Sequence, residues 1–381
     1  MSQIERLEEW DRALRFLWNL AQEQRKLGYA RSRGERRFPS AFDQMKELTE
    51  LRTSLSWLND VPRNVCDQLL KELDKAWQCC FAKLARAPRW KRKGRDFSSF
   101  CEPHPKTWSL VDGHVRFPKL GFLRTVMHRP LEGTPKTCTL KRDGDQWFVS
   151  IVCEVETVDP IPRTEPVVAI DRGIVNFGAT SDGELIPNPE LLVASLKRLA
   201  QAQRTVSRRR KGSKNRDKAK RRVVRIHRTV RRQRENYLHV LTARLAKSHG
   251  IVVLEKLNVA GMVRSNLGRS ISDVGWSSFA NMLRYKLAWS GGSLVEVPAA
   301  YSSQTCSACG SIDATSRRSQ SVFRCTSCGY KDHADLNAAK ILKSRANRSV
   351  LLGEDAGSSQ LRRTKKRLRV SKRFSPESSS L

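Results

Sequence analysis

The side chains best suited to metal chemistry are four cysteines near the C-terminal end of the sequence. They form two C-x-x-C pairs, Cys306 with Cys309 and Cys325 with Cys328, separated by 15 residues, and a glycine follows each pair. Four thiolates at this spacing close a tetrahedral zinc site of the ribbon type, in which the glycines let the chain turn beneath the metal. Because such a site has no open coordination position, we expect this Zn²⁺ to be structural.

Three carboxylates form a second candidate metal site. Asp171 and Glu255 each end an apolar run, and Asp335 opens the segment DLNAAKIL, seven residues after Cys328. Carboxylates beside buried surface are costly unless they are paired or bind metal. Three of them from separate elements hold two divalent ions about 4 Å apart, and oxygen ligands suit Mg²⁺ or Mn²⁺. Asp332 competes for the third position, and the alternative is that these carboxylates only start loops or cap a helix.

Short strands and helices must position these groups. Apolar runs predict strands over residues 167–171, 176–181, 251–254 and 293–297, and helices over 277–289 and from 335 onward. Strands and helices mixed in this way indicate an α/β core. We place this core at residues 161–345, with a basic helical hairpin at about 189–249 and the zinc ribbon at about 303–330.

The remaining segments differ in texture from this core. Residues 1–86 carry apolar side chains three or four positions apart, which predicts a helical bundle. Residues 87–160 contain short alternating runs joined by Asp112-Gly113 and Asp143-Gly144, which predicts an antiparallel β-barrel or meander. Residues 346–381 lack apolar periodicity and are predicted to form a disordered basic tail.

The charge points to a polyanionic partner. Lys and Arg number 72 against 38 acidic residues, for a net charge of +34, and 18 of these cations lie between Lys197 and Arg234 beside one acid. A nucleic acid matches this excess, since a heteroduplex of about 20 base pairs carries roughly 40 phosphates. The segment Arg89–Phe97 adds cations around Trp90, whose ring either stacks on bases or packs in the core.

The apolar pattern also bears on location. The sequence has no run of 18 apolar residues, and charges interrupt its start where a signal peptide needs an apolar segment. We therefore expect no membrane partner and a cytoplasmic protein. The ten cysteines are then expected to be thiols or metal ligands and not disulfides.

The motifs together resemble one family. VVAIDRGIVNFGATSDG, IVVLEKLNVAGM, and YSSQTCSACG with CTSCGYKDHADLNAAKIL occur in the order found in TnpB (OrfB), the transposon-encoded RNA-guided nucleases related to type V CRISPR effectors. The likeness is most specific from Val167 to Leu342. Arg172 departs from it, because small or apolar residues are frequent after the first acid of that family.

The resemblance implies a fold and a set of roles. The core would be an RNase H-like, RuvC-type nuclease with the zinc ribbon inserted before its third acid, and Asp171, Glu255 and Asp335 would be catalytic and hold Mg²⁺. Asp335 is preferred over Asp332 because the family's third acid stands two residues before an Asn, here Asn337. The N-terminal helices would be a recognition lobe and the β-rich part a wedge domain.

The resemblance also implies partners and an activity. The chain would bind a transposon-derived guide RNA as a monomer, open double-stranded target DNA beside a short adjacent motif, and cut both strands. In a prokaryote it would be associated with the nucleoid. Three alternatives remain open: a guide-bound regulator that does not cut, a strand-joining transposase accessory, and a zinc-ribbon RNA-binding protein.

Overall fold

Four helices begin the computed structural model, which describes residues 2–30, 38–94, 99–127, 130–262, 273–351 and 367–374. They are α1 (Gln3–Ala30), α2 (Ala41–Ser54), α3 (Ser56–Asn59) and α4 (Arg63–Phe81). Ser40 and Asp43 form a capping box at the start of α2, each side chain accepting from the other's backbone N–H. Periodic apolar residues such as Leu7 and Leu73 are fully buried. The predicted helical character of this part is therefore confirmed.

The chain divides into two compact units, Met1–Thr157 with Arg363–Leu381, and Val158–Arg362. Six strands follow the helices in the first unit: β1 (Ser99–Glu102), β2 (Ser109–Val111), β3 (His114–Phe117), β4 (Gly121–Leu123), β5 (Thr134–Asp143) and β6 (Gln146–Glu154). They pair antiparallel, with β2, β3 and β4 as a meander. Asp112 and Gly113 both have positive φ, 49° and 77°, as a tight two-residue hairpin turn requires. Closure of these strands into a barrel stays a prediction.

The C-terminal tail is ordered in two places, so the prediction of disorder from residue 346 is wrong there. The last helix of the core continues to Leu351, and a strand, β14 (Arg367–Phe374), pairs antiparallel with β6 from Trp147 to Glu154. The strand has a physical basis in the sequence, because Leu368 and Val370 alternate with cations at the two-residue period of a strand. Residues 352–366 and 375–381 lie outside the described residues.

One five-stranded sheet organises the second unit. Its strands are β7 (Val167–Arg172), β8 (Asn176–Thr180), β9 (Leu185–Pro187), β10 (Ile251–Lys256) and β11 (Ser293–Pro298), in the order β11-β10-β7-β8-β9. The strands β11, β10 and β7 are parallel, and β8 and β9 continue the sheet antiparallel. The strand predictions from the apolar runs are confirmed.

The described α-helices of the second unit are α5 (Leu196–Arg208), α6 (Lys214–Ser248), α7 (Val259–Met262), α8 (Trp276–Trp289) and α9 (Ala334–Leu351). Of these, α6 and α8 pack on one face of the sheet and α9 packs on the other. The two-residue period of β7 sends Ile170 into a core with α6 and α8, and Ala169 into a separate core with Leu342 of α9. Ala338 and Ala339 are fully buried, which lets α9 approach the sheet closely. Mixed α/β architecture is thus confirmed.

The insertions of the second unit also have defined structure. The helices α5 and α6 form the basic hairpin, and the chain turns between them at Gly212, whose φ is +82°. Two short strands, β12 (Val322–Arg324) and β13 (Lys331–His333), pair antiparallel around the second cysteine pair. Because β13 runs directly into α9, the cysteine-containing insertion sets the position of that helix's first turn.

Candidate active site and metal centre

The four cysteines meet at one point, as their spacing predicts. Their sulfur atoms all lie within 4.8 Å of one another, with 3.7 Å between Cys306 Sγ and Cys328 Sγ and 3.6 Å between Cys309 Sγ and Cys325 Sγ. A tetrahedron with metal–sulfur bonds of about 2.3 Å has sulfur–sulfur edges of about 3.8 Å. The donor set and its size therefore fit a closed tetrahedral metal site.

The backbone turns beneath both cysteine pairs and favours the thiolate form of one cysteine, Cys325. Gly310 and Gly329 donate their N–H groups to the carbonyls of Cys306 and Cys325, and both glycines have positive φ, 77° and 73°. The Cys328 backbone N–H, which lies 3.4 Å from Cys325 Sγ, lowers the pKa of Cys325 to about 6. A lowered pKa favours the thiolate, which is the form that binds metal.

The register of the sheet brings the first two carboxylates together. Ile170 of β7 lies opposite Leu254 of the parallel strand β10, and Asp171 and Glu255 are the next residues on each strand. Since side chains alternate along a strand, both carboxylates point to the face opposite Ile170, which is the face that α9 covers. A Cβ added at Gly178 would lie 3.0 Å from the carbonyl oxygen of Asp171, so a glycine suits the neighbouring strand.

The third carboxylate comes from α9. Asp335 stands in the first turn of this helix and is 8% exposed, similar to Glu255 at 7%. Burial, followed by repulsion from Glu255 and then from Asp335, raises the pKa of Asp171 to about 8. Burial also raises the pKa of Glu255. Asp171 is thus repelled by both other acids in a poorly solvated place, and carboxylate oxygens of this kind suit hard divalent cations.

Two arginines balance this acidic cluster. Arg317, from the cysteine-containing insertion, forms an ion pair with Asp335, with 2.8 Å between Nη2 and Oδ1. Arg172 is buried, lies with its Nε 3.9 Å from Glu255 Oε1, and donates from Nη2 to the backbone carbonyl of Glu255. Among the described residues, the four thiols are the one group of three or more donors close enough to hold a metal together. The carboxylates are therefore neighbours, and two of them form ion pairs with arginines.

Asp332 occupies a different environment from Asp335. Its carboxylate accepts from Lys340 Nζ at 2.7 Å and from the hydroxyl of Tyr330 at 2.9 Å. Asp332 is not among the charges that shift the pKa of Asp171, whereas Asp335 is. The surroundings of these two aspartates favour Asp335 as the third acidic residue.

Asn337 connects the two candidate metal sites. It is fully buried, accepts from the Ser307 backbone N–H at 2.9 Å, and donates to the Thr305 carbonyl at 2.8 Å. Ser307 lies within the first cysteine pair, and Asp335 lies two residues before Asn337. The side chain of Asn337 therefore fixes the first turn of α9 to the cysteine cluster. Spacing alone gives this residue no role, and it gives none to Arg317.

The basic hairpin presents its cations to solvent. Leu199 and Ala202 of α5 are buried, while a groove along α5 is lined by polar and cationic side chains that include Lys197, Arg204 and Arg208. On α6, Arg221 and Arg222 are exposed.

Among the described helices, none has the length and apolar character needed to cross a membrane.

Two family models match the second unit and its surroundings. Residues 150–266 match OrfB_IS605, described as "Probable transposase", and residues 276–342 match the Cas12f1-like TNB domain. The first match includes Asp171, Glu255 and the basic hairpin. The second includes the four cysteines and Asp335. The candidate sites therefore lie within the segments that define these families.

Similar proteins and structures extend the match over most of the chain. "Putative RNA-guided DNA endonuclease InsQ" of Escherichia coli (strain K12) is 33% identical over 318 residues, which cover 79% of each protein. "Putative RNA-guided DNA endonuclease" of Streptomyces pristinaespiralis is 36% identical over 315 residues, covering 81% of this chain and 78% of that protein. A chain from the cryo-EM structure of a Cas12f1-sgRNA-target DNA complex has a TM-score of 0.56 and 15% identity, covering 90% of this chain and 82% of its own.

The fold places the chain in the class of mixed α/β, multidomain proteins with a Cas12-like architecture. The relatives in sequence then give the particular family. The chain belongs to the TnpB (OrfB) family of transposon-encoded proteins, as its motifs predict.

Proposed function

We propose that this chain is an RNA-guided DNA endonuclease, which pairs a transposon-derived guide RNA with double-stranded DNA beside a short adjacent motif and cuts both strands. Its relatives in E. coli and Streptomyces carry the name RNA-guided DNA endonuclease. The observation that carries the proposal is the approach of Asp171, Glu255 and Asp335 on one face of the sheet. In this proposal, the second unit is a RuvC-type, RNase H-like nuclease.

The three carboxylates would hold two Mg²⁺ ions, with Mn²⁺ as a substitute. When bound, such ions activate the attacking water and stabilise the leaving oxygen of a phosphodiester. Asp171, the most central of the three acids, must lose its proton to act as a ligand, because its pKa is about 8. Arg317 must turn away from Asp335 to free that carboxylate, while Arg172 holds the strand end that carries Glu255.

The other parts would serve the nuclease. One structural Zn²⁺ would occupy the four-thiolate cluster and fix Asp335 through Asn337. The basic hairpin would bind the phosphates of the guide–target heteroduplex and steer them to the neighbouring carboxylates. The helices of the first unit would act as a recognition lobe and its strands as a wedge domain, in a complex of one chain with one guide RNA.

Cleavage of a target plasmid tests this function against its alternatives. The protein, purified with its guide RNA, is incubated with plasmid and Mg²⁺, and the Asp171→Ala variant is the control. We expect linear plasmid from the wild type and uncut plasmid from the variant, with RNA retained by both. Joined strands would indicate a transposase accessory, and DNA bound but uncut by the wild type would indicate a regulator. Bound RNA without DNA binding would indicate a zinc-ribbon RNA-binding protein.

A further inference from the structure

An extended segment after α4 lies along α1 without pairing to any described strand. This segment, residues 86–93, is called the basic strip here. Side chains of α1 bond to its backbone, so that the helix fixes the path of the strip. The four bonds join Gln22 Nε2 to Pro88 O (2.8 Å), Trp18 Nε1 to Arg89 O (3.1 Å), Asn19 Nδ2 to Lys91 O (3.1 Å) and Lys91 N to Asn19 Oδ1 (2.9 Å). These four bonds thus fix the backbone of the strip against α1.

Most residues of the basic strip are exposed, while Pro88 and Lys91 are half-buried. Arg86, Arg89 and Lys93 are exposed, and Trp90 is 39% exposed. Lys26 of α1 lies with its Nζ 4.6 Å from the centre of the Trp90 ring. The exposure of Trp90 excludes the core position that the sequence left open for it. A fixed backbone that presents cations and an aromatic ring has the chemistry of a nucleic-acid contact.

A second aromatic surface lies next to the basic strip. Tyr29 follows Lys26 by one helical turn and stacks on Phe81 of α4, with ring centres 6.1 Å apart and an angle of 26° between the ring planes. Both rings are about half exposed, at 51% and 48%. Lys26 therefore stands between two exposed aromatic surfaces, Trp90 on one side and the Tyr29–Phe81 pair along the helix.

We propose that the basic strip and the Tyr29–Phe81 pair bind an unpaired nucleic-acid strand. Arg86, Arg89 and Lys93, three of the five cations of the strip, contact phosphates, and Trp90 and Tyr29 stack on bases. Stacking of this kind needs free base faces, which a single strand offers and a duplex does not. The inference rests on the proposed function and adds a contact for the unpaired part of the guide RNA or of the target DNA.

Equilibrium binding by the full-length protein tests the stacking role. The probes are a fluorescent 20-nucleotide strand of mixed sequence, made as RNA and as DNA, and the corresponding duplex. We expect Trp90→Ala to weaken binding of single strands about tenfold and to leave duplex binding unchanged. Trp90→Phe should keep most of the affinity. Trp57→Ala is the matched control, because Trp57 is 43% exposed in the same unit and packs on Phe16.

A triple substitution tests the phosphate role separately. Replacing Arg86, Arg89 and Lys93 with Ala should reduce the slope of log affinity against log salt by about 2 for single strands, and Trp90→Ala should leave that slope unchanged. The RNA and DNA probes show which strand the site prefers. Unchanged single-strand affinity in Trp90→Ala, or equal weakening for the duplex, would overturn the inference.

Plasmid cleavage, measured on the same preparations, separates the two proposals. If the wild type cuts its target and Trp90→Ala binds single strands with unchanged affinity, only the proposed role of the basic strip is contradicted. A wild-type protein that does not cut contradicts the nuclease assignment, whatever the strip binds. Thermal unfolding of each variant tests whether altered binding comes from a loss of folding.

Discussion

Arg317 and Asp335 form an ion pair at the proposed site for divalent ions. Their ion pair occupies an oxygen that a divalent ion needs, and Arg317 is one of the charges that lower the pKa of Asp171. A partly buried pair of this kind contributes about 1 kcal/mol. We expect Arg317→Ala to lower the Mg²⁺ concentration for half-maximal cleavage roughly fivefold, because the competing cation is gone. The measurement is the cleavage rate across a Mg²⁺ titration.

The control for this prediction is Arg318→Ala, since Arg318 is exposed and adjacent in sequence. The Arg318→Ala substitution removes one positive charge from the surface of the insertion and keeps the bond between Arg317 and Asp335. A Mg²⁺ requirement that rises in Arg317→Ala, or that changes equally in both variants, would contradict the competing role of Arg317.

The pKa of Asp171 predicts how stability depends on pH. Its folded-state pKa is about 8, raised by burial and then by Glu255 and Asp335 from the ordinary aspartate value of 3.8. Between these two values the folded state holds a proton that the unfolded state has lost, so the contribution of Asp171 to stability falls as the pH rises from about 4 to about 8. Asp171→Asn carries no titrating carboxyl at this position.

Thermal unfolding in the presence of a chelator checks this sign. The melting temperature of Asp171→Asn minus that of the wild type should grow between pH 4 and pH 8 and then level. Added Mg²⁺ should reduce the difference at pH 8, because it stabilises the ionised wild-type cluster. A difference that stays constant with pH would show that Asp171 titrates normally in the folded protein.

For individual residues, the spacing of neighbours in the sequence predicted which side chains would meet, whereas contacts between distant segments were not predicted. The cysteine pairs and the acids at strand ends follow from a few neighbouring residues, so their approach could be anticipated. The bond from Arg317 to Asp335 depends on how the insertion folds back across 18 residues, and no spacing rule encodes it. The catalytic and zinc-binding roles of these residues remain predictions that the experiments address.

Among the elements, the cysteine-containing insertion and α9 act together. The strand β13 leads directly into α9, and the buried side chain of Asn337 bonds to the chain around the first cysteine pair. If the four thiols bind the proposed Zn²⁺, its loss would free both ends of this connection. The position of Asp335 is therefore expected to depend on a cluster that performs no chemistry itself.

Substitution of one ligand tests this dependence. We expect Cys325→Ser to reduce bound zinc from one per chain to nearly none, and to reduce cleavage at least 100-fold while guide RNA remains bound. Zinc content is measured by elemental analysis of the purified protein. Cys79→Ser is the control, since Cys79 lies on α4 outside the cluster. Full cleavage by zinc-free Cys325→Ser would show that α9 holds Asp335 without the metal.

Element prediction succeeded where periodicity was strong and failed where charge concealed it. The strand β7 and the helix α8 were recognisable because their apolar residues repeat with the period of the structure. The strand β14 was missed because its alternation is short and lies in a basic segment, and its partner β6 is more than 200 residues away. Long-range pairing of this kind stabilises strands that look unstructured locally.

For the whole molecule, the net charge of +34 must be matched by phosphates. We expect replacement of Lys218, Arg221 and Arg222 on α6 with Ala to lower the salt slope of duplex binding by up to about 3, because each exposed cation that contacts DNA releases about one counterion. Binding is measured by fluorescence anisotropy at several salt concentrations. The same substitution at three exposed cations of the first helices, Arg12, Lys46 and Lys75, is the control. Equal salt slopes for the wild type and both triple variants would show that the phosphates of the duplex do not contact these three cations of α6.

In the proposed nuclease, Asp171, Glu255 and Asp335 together hold divalent ions. Electron paramagnetic resonance of Mn²⁺ added to the zinc-loaded protein in complex with guide RNA and uncut DNA measures this directly. We expect two bound Mn²⁺ ions per chain for the wild type, with the magnetic coupling of ions about 4 Å apart, and loss of the coupled pair in Asp171→Asn. Identical Mn²⁺ binding by both proteins, or none by the wild type, would contradict this assignment.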